Sequence, residues 1–443
     1  MKRFLYEDLL KWKNSAHRKP LILEGARQVG KTWLLKEFGK NEFENVAYIN
    51  CDTDDSSRFL FADFNIDRIL RAVSAITSQV VEPGKTLIIF DEIQQQPEGL
   101  TALKYFCENA PEYHVVVAGS LLGLQVHSGS GFPVGKVDRL KLSPLSFSEF
   151  LDALGEKNLL MHLNAFRFDE YAVLKTKLIE LLRQYYYVGG MPEAVLAYVD
   201  RKNILEVREI QKRILDDYRD DFSKHIPSNE LAKVSAVWNS IPSQLAKENK
   251  KFIWGALRKG GRAKEYENAV QWLINAGLVH KVCRINKVEM PVKFYEDMGC
   301  FKLFVNDLGL LGAMSDIPAK EILAESKMIT EYKGAFTEQY VAQQYIATMR
   351  QPLYYYTNEN STSEIDFVFQ HGAVYPTEVK AEENLKAKSL STVLKTNAQL
   401  KGIRFSMSDY REQEQMVNVP LYLVEFYLKW IAGQNESNKY GLG

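Results

Sequence analysis

Gly25-Ala26-Arg27-Gln28-Val29-Gly30-Lys31-Thr32 fits the pattern G-x-x-x-x-G-K-[ST]. Glycines at this spacing let the backbone wrap with its N–H groups facing inward, which cradles phosphate oxygens. Lys31 brings a cation to the β- and γ-phosphates of a nucleotide, and Thr32 offers a hydroxyl to Mg2+. Further along, Asp91 and Glu92 close the run LIIFDE. A carboxylate ending a buried strand beside such a loop suits the Mg2+ water shell, and the next one suits activation of an attacking water. Asp91 is therefore expected on the metal side and Glu92 as the general base. Ser120, after VVVAG, is either a sensor of the γ-phosphate or an ordinary turn serine. Lys136 and Arg139 in PVGKVDRLKL are candidate cations for the transition-state charge, including that on a neighbouring subunit's nucleotide.

A second group of chemistry-bearing residues lies near the other end. Asp366 stands in EIDFV, and after a turn at Gly372 comes YPTEVK with Glu378 and Lys380. On a strand, residues two apart project from one face, and Asp366 on the preceding strand of a hairpin reaches that face too. Two carboxylates can hold Mg2+ or Mn2+, while the ammonium orients water or steadies phosphodiester charge. An alternating E-x-K on an exposed strand is also an ordinary solvated charge pair. The arrangement resembles nucleases of the PD-(D/E)xK class. That resemblance implies a metal-binding Glu on the preceding helix, where Glu338 in GAFTEQYVAQQ matches. Ile365 stands where the class has Pro, which is uninformative.

The elements that must position these groups follow from periodicity. From Pro20 to about Leu124, short apolar runs (LILEG, VAYIN, LIIFD, VVVAG) alternate with amphipathic stretches, as in a doubly wound parallel α/β sheet. After Pro144 the spacing turns helical, and Ile204–His225 is a charged amphipathic helix with Ile204, Val207, Ile210, Ile214 and Tyr218 on one face. RKGGRAKEYENAVQWLINAGLVHKVCRI ends in a helix, a Gly turn and a strand, which suggests a winged helix. Its Arg258, Lys259, Arg262 and Lys264 either contact DNA phosphates or sit in a solvated loop. Strands return in VKFYED, PLYYYT, EIDFVF and VYPTEVK, with a helix from Ala335 to Met349. The tyrosine runs 185–187 and 354–356 are expected in the core rather than stacked on bases.

With 443 residues the chain has room for several domains. Lys plus Arg (56) equals Asp plus Glu (56), which excludes whole-surface attraction to nucleic acid but not a local basic patch. No apolar stretch approaches the ~18–20 residues that span a bilayer, so a cytoplasmic protein is expected. The four cysteines are too scattered for a metal site or a disulfide framework.

Taken together, GARQVGKT, LIIFDEIQ, VVVAGS, FPVGKVDRLKLSPLSFSEFL, YYYVGGMPEAV and FYEDMGCFKLFVNDLGLL resemble a prokaryotic family of AAA-type ATPases with a C-terminal domain of unknown function. The resemblance implies that Gly190-Met191-Pro192 is a lid element touching nucleotide, with Pro192 at its end. A turn followed by a helix start is the alternative. The expected fold class is α/β: a P-loop NTPase core (1–145), a helical lid and linker helix (146–225), a winged helix (226–290), a restriction-endonuclease-like α/β domain (291–430) and a flexible tail (431–443). Expected ligands are ATP or ADP with Mg2+, and Mg2+ or Mn2+ at the C-terminal acids; DNA and further copies of the chain are candidate partners, a membrane is not. Glu92 and Lys31, and separately Glu378 and Lys380, are the expected catalytic residues. Two rivals stay open: a binding module with an inactive C-terminal domain, and a switch that oligomerises on ATP.

Overall fold

The computed structural model describes residues 1–119, 132–247, 250–323, 330–358, 363–383 and 388–439. It divides into two compact units, Met1–Ser143 with Gln271–Leu278, and Pro144–Val270 with Val279–Gly443.

The first unit is built on a five-stranded sheet in the order β2-β3-β4-β1-β5, comprising Leu21–Glu24 (β1), Asn45–Asn50 (β2), Thr86–Asp91 (β3), His114–Ala118 (β4) and Asp138–Lys141 (β5). All its pairings are parallel. Parallel strands are covered on both faces, which is why LIL, LIIF and VVV read as unbroken apolar runs and are fully buried. On one side Ile22, Ile88, Phe90, Val115 and Val117 pack with Ile69, Leu103 and Phe106 of the crossover helices. The order places β4 between β1 and β3, so the loop after β1 and the carboxylates ending β3 share the C-terminal edge, where ligands of such sheets bind.

The second unit begins with the helices Phe147–Ala153, Lys157–Leu163, Lys175–Val188, Pro192–Arg201, Ile204–His225 and Ser228–Leu245. Asn203 caps Ile204–His225 through the Leu205 and Glu206 amides at 3.1 and 3.3 Å. Its Val207, Ile210, Ile214 and Tyr218 are buried as the periodicity requires, while Ile204, the first residue of the helix, is half-buried. An eight-stranded mixed sheet follows in the order β12-β13-β11-β10-β9-β8-β6-β7. Its strands are Val279–Ile285 (β6), Glu296–Val305 (β7), Tyr354–Thr357 (β8), Glu364–His371 (β9), Ala373–Val379 (β10), Gly402–Ser406 (β11), Arg411–Glu412 (β12) and Met416–Pro420 (β13).

Two expectations change here. The β6–β7 ribbon does not stand alone as a wing, because β6 pairs in parallel with β8 and becomes part of the larger sheet. VKFYED is not one strand: Val292–Tyr295 form a turn after Pro291, which has no N–H for a ladder, and β7 starts at Glu296. Both tyrosine runs go mainly to the core, with Tyr185, Tyr187, Tyr354 and Tyr355 buried. Among the described residues no helix is long and apolar enough to cross a membrane.

Candidate functional site

The loop after β1 owes its shape to local stereochemistry. Gly25 has φ 151°, and a Cβ there would lie 2.4 Å from the Leu142 carbonyl oxygen. Gln28 (φ 67°) and Gly30 (φ 93°) are both left-handed, the first at a cost in backbone strain that clusters at ligand sites. Gly30 is the N-cap of the helix Lys31–Glu42 and no side chain caps it, so its first N–H groups are directed to the loop's concavity.

Lys31 is buried at 7% exposure, and its Nζ donates to the Gly25 and Ala26 carbonyls, each at 2.8 Å. Burial pulls its pKa down to about 8, against the opposing pull of the Glu92 and Asp91 carboxylates, so it remains a cation at neutral pH. Thr32 Oγ1 donates to Asp91 Oδ2 at 2.6 Å, and the Glu92 amide donates to Asp91 Oδ1 at 3.0 Å. A hydroxyl and a carboxylate held side by side are hard oxygen donors that fit Mg2+. Glu92 has left-handed backbone (φ 50°), which turns the chain sharply out of β3, and its carboxylate accepts from the Gln94 amide. Ala26, Arg27 and Val29 complete the loop beside these residues.

Two contributors had no sequence signal. Tyr48 on β2 donates to Asp91 Oδ2 at 3.0 Å, its phenol pushed well up by burial and then by Asp91, and the Lys36 ammonium lies 3.6 Å from its ring centroid. Arg3, 4% exposed, donates through Nη1 to the Val29 carbonyl at 2.8 Å and through Nη2 to the Ser143 carbonyl at 2.5 Å, bracing the loop from behind.

The other nucleotide-side candidates fall differently. Arg139 lies on β5, the sheet's edge, where it is 3.7 Å from Glu24 and stacks over Phe132. Lys136 pairs with Glu108 at 2.8 Å on the surface. Ser120 is outside the described residues. Pro192 belongs to the second unit, in the first turn of Pro192–Arg201. There the Gly190 amide donates to Asp307 Oδ2 at 2.5 Å, and a Cβ on Gly189 would sit 2.3 Å from Asp307 Oδ1. GGMPEA and FVNDLGLL are thus two halves of one contact. Asp307 also caps Leu308–Met314 through the Leu310 amide, and burial pushes its carboxyl up to about 6. A carboxyl raised above its unfolded value of about 4 makes the native state hold the extra proton, so the Asp307 contribution to stability falls as pH rises between these values. Thermal melts from about pH 4 to 6.5 should therefore show a shallower decline in Asp307→Asn than in the wild type, whatever the offset between them.

In the C-terminal site the β9–β10 register sets Thr377 opposite Phe367, and Asp366 Oδ2 accepts from the Val379 amide at 2.7 Å. Glu378 pairs with Lys380 at 2.8 Å, as the E-x-K spacing implies, while its Oε2 is buried without a hydrogen-bond partner. Glu338 projects from the helix Thr330–Met349 and is 4% exposed. Its Oε1 takes the Lys250 ammonium at 2.6 Å, and its Oε2 is 3.6 Å from Lys302. Lys302, wholly buried on β7, also binds Glu364 Oε1 at 2.6 Å. Despite burial, Glu338, Glu364 and Asp366 hold the Lys302 ammonium above its ordinary pKa. Loss of hydration and then the Glu338 charge push Asp366 up to about 7.

Among the described residues no group of three or more acids, histidines or cysteines is arranged to hold a metal ion, while the charges of Glu378, Asp366 and Glu338 all act on the Lys380 ammonium. Lys250 and Lys302 both place positive charge beside Glu338.

Residues 17–151 match a family model described as an AAA domain. Residues 179–321 and 333–424 match two models described as domains of unknown function, DUF8612 and DUF4143. No curated protein matches the chain. Among solved structures, the Walker-type ATPase PABY2304 of Pyrococcus abyssi is similar at 13% identity, over 71% of this chain and 95% of that one, with a TM-score of 0.46. The ORC1 protein of Aeropyrum pernix in complex with DNA is similar at 15% identity over 71% and 91%, TM-score 0.30. AMPPCP-bound DnaA from Aquifex aeolicus is similar at 13% over 61% and 86%, TM-score 0.27. The match over residues 17–151 to an AAA domain agrees with the loop, Lys31 and the Thr32–Asp91 pair, and supports an AAA-type P-loop domain in the N-terminal unit.

Proposed function

We propose that this chain binds ATP with Mg2+ and hydrolyses it in the N-terminal unit. The observation that carries the reading is the buried Lys31 ammonium in the left-handed loop, with Thr32 bonded to Asp91 and Glu92 next in sequence. Residues 25–30 present backbone amides to the phosphates, and Lys31 moves from the loop's carbonyls to phosphate oxygens. Thr32 and Asp91 would hold Mg2+, which supplies charge neutralisation across the phosphates. Glu92 takes the proton of the attacking water as its oxygen bonds to the γ-phosphorus and the bond to the bridging oxygen breaks, leaving ADP and phosphate. Arg139 is the candidate for transition-state charge if a neighbouring copy's nucleotide reaches β5. Losing one charge-assisted contact to phosphate costs ~1.5–3 kcal/mol. Titration of Lys31→Ala with a fluorescent ATP analogue should show affinity roughly 10- to 100-fold weaker than wild type; equal affinity would refute the assignment.

For the C-terminal half we propose a PD-(D/E)xK-like core acting as a binding module rather than a metal-dependent nuclease. The β9–β10 hairpin and the parallel neighbour β11, with the acids on the hairpin, support the architecture. The lysine-held Glu338 favours the non-cleaving reading. Arg258, Lys259, Arg262 and Lys264 are exposed around Gly260 and Gly261 and are the expected DNA contact. Incubation with Mn2+ and plasmid or single-stranded DNA should leave the DNA intact. Cleavage that disappears in Glu378→Ala but persists in Lys31→Ala would restore the nuclease reading.

A further inference from the structure

The second unit has a cleft of about 460 Å3 lined by the rings of Phe166, Phe168, Tyr410 and Trp430. Its rim carries Asp169 and Glu412 against a single Arg411. The floor is a packed aromatic cluster, in which Phe168 is buried edge-on to Tyr427 at 5.3 Å, with Tyr410 at 5.4 Å and Trp430 at 6.0 Å around it. Phe166 is held in left-handed backbone (φ 56°), a conformation that bulky residues adopt only when their surroundings enforce it. The Tyr410 hydroxyl donates to Glu412 Oε1 and so fixes one rim carboxylate. Arg411 and Glu412 are the two residues of β12, which is exposed and ends the eight-stranded sheet.

We propose that this cleft is a docking site for an arginine side chain on an extended segment of a partner protein. Aromatic faces attract a cation, and a guanidinium both stacks on rings and meets carboxylates bidentately, which a lysine ammonium does less well. Two carboxylates against one arginine leave the rim net negative, complementary to that charge. A volume of this size lies in the range of ligand pockets and takes the whole side chain with its aliphatic stem. The open edge of β12 lets the bearer of the arginine add as a strand, gaining main-chain hydrogen bonds while the side chain enters the cleft.

The test is calorimetric titration of the full chain with acetyl-Gly-Arg-Gly amide, with acetyl-Gly-Glu-Gly amide and with AMP. The arginine peptide should bind, with affinity at least about tenfold weaker in Asp169→Asn/Glu412→Gln, a pair of exposed substitutions whose folding is checked by circular dichroism. Trp430→Phe should keep binding and Trp430→Ala should lose it. No binding, equal binding in the neutralised variant, or preference for the glutamate peptide or AMP would overturn the proposal.

Discussion

Glu92→Gln is expected to bind ATP as tightly as the wild type and to lose turnover by roughly 10²- to 10⁴-fold, the usual contribution of a positioned general base. The neighbouring carboxylate cannot take over. Asp91 is 3% exposed and its two oxygens are committed to Thr32, Tyr48 and the Glu92 amide, so it is placed as a ligand rather than as a proton acceptor. Glu92 follows a left-handed turn out of β3, beside the Gln94 amide. Glutamine keeps the size and the acceptor oxygen of glutamate but takes no proton from water. Single-turnover hydrolysis with ATP prebound separates the step from binding, and an unchanged rate would remove Glu92 from the chemistry.

Lys302→Met should destabilise the chain by ~3–5 kcal/mol, although the side chain makes no contact with solvent and nearly keeps its volume. The wild-type ammonium binds Glu364, lies near Glu338 and sits 4.8 Å from the Tyr355 ring centroid. Removing it strands buried negative charge, the costly case for a buried pair. A charge origin makes a further demand that a packing origin does not. Adding Glu364→Gln to Lys302→Met should recover part of the loss, whereas a pure packing defect would only grow worse. Urea unfolding of the single and double variants reads both; wild-type stability in Lys302→Met would contradict the charge account.

What could be read from sequence followed from how local each signal is. The phosphate loop was legible because its strand, glycines, lysine and helix start are consecutive, and Asp91 and Glu92 because a buried strand shows as an apolar run. The pairing of Glu378 with Lys380 followed from the two-residue period of a strand. Tyr48 and Arg3 were not legible, since each reaches the site from another element as a single side chain with no pattern around it. Lys250 and Lys302 were missed for the same reason, and they change the chemistry of the C-terminal acids most. The joining of β6 to β8 depends on a parallel pairing between segments far apart in the chain, to which local periodicity is blind. The stretches GGMPEA and FVNDLGLL both carried the family resemblance, but only the fold shows that Gly190 of one bonds to Asp307 of the other.

The most direct measurement of the central claim is phosphate release from ATP by the wild-type chain, with Mg2+ and then with excess EDTA, against Lys31→Ala. The account predicts release that needs Mg2+ and falls to background in the variant. Release at the same rate from Lys31→Ala, or none from the wild type, would contradict it.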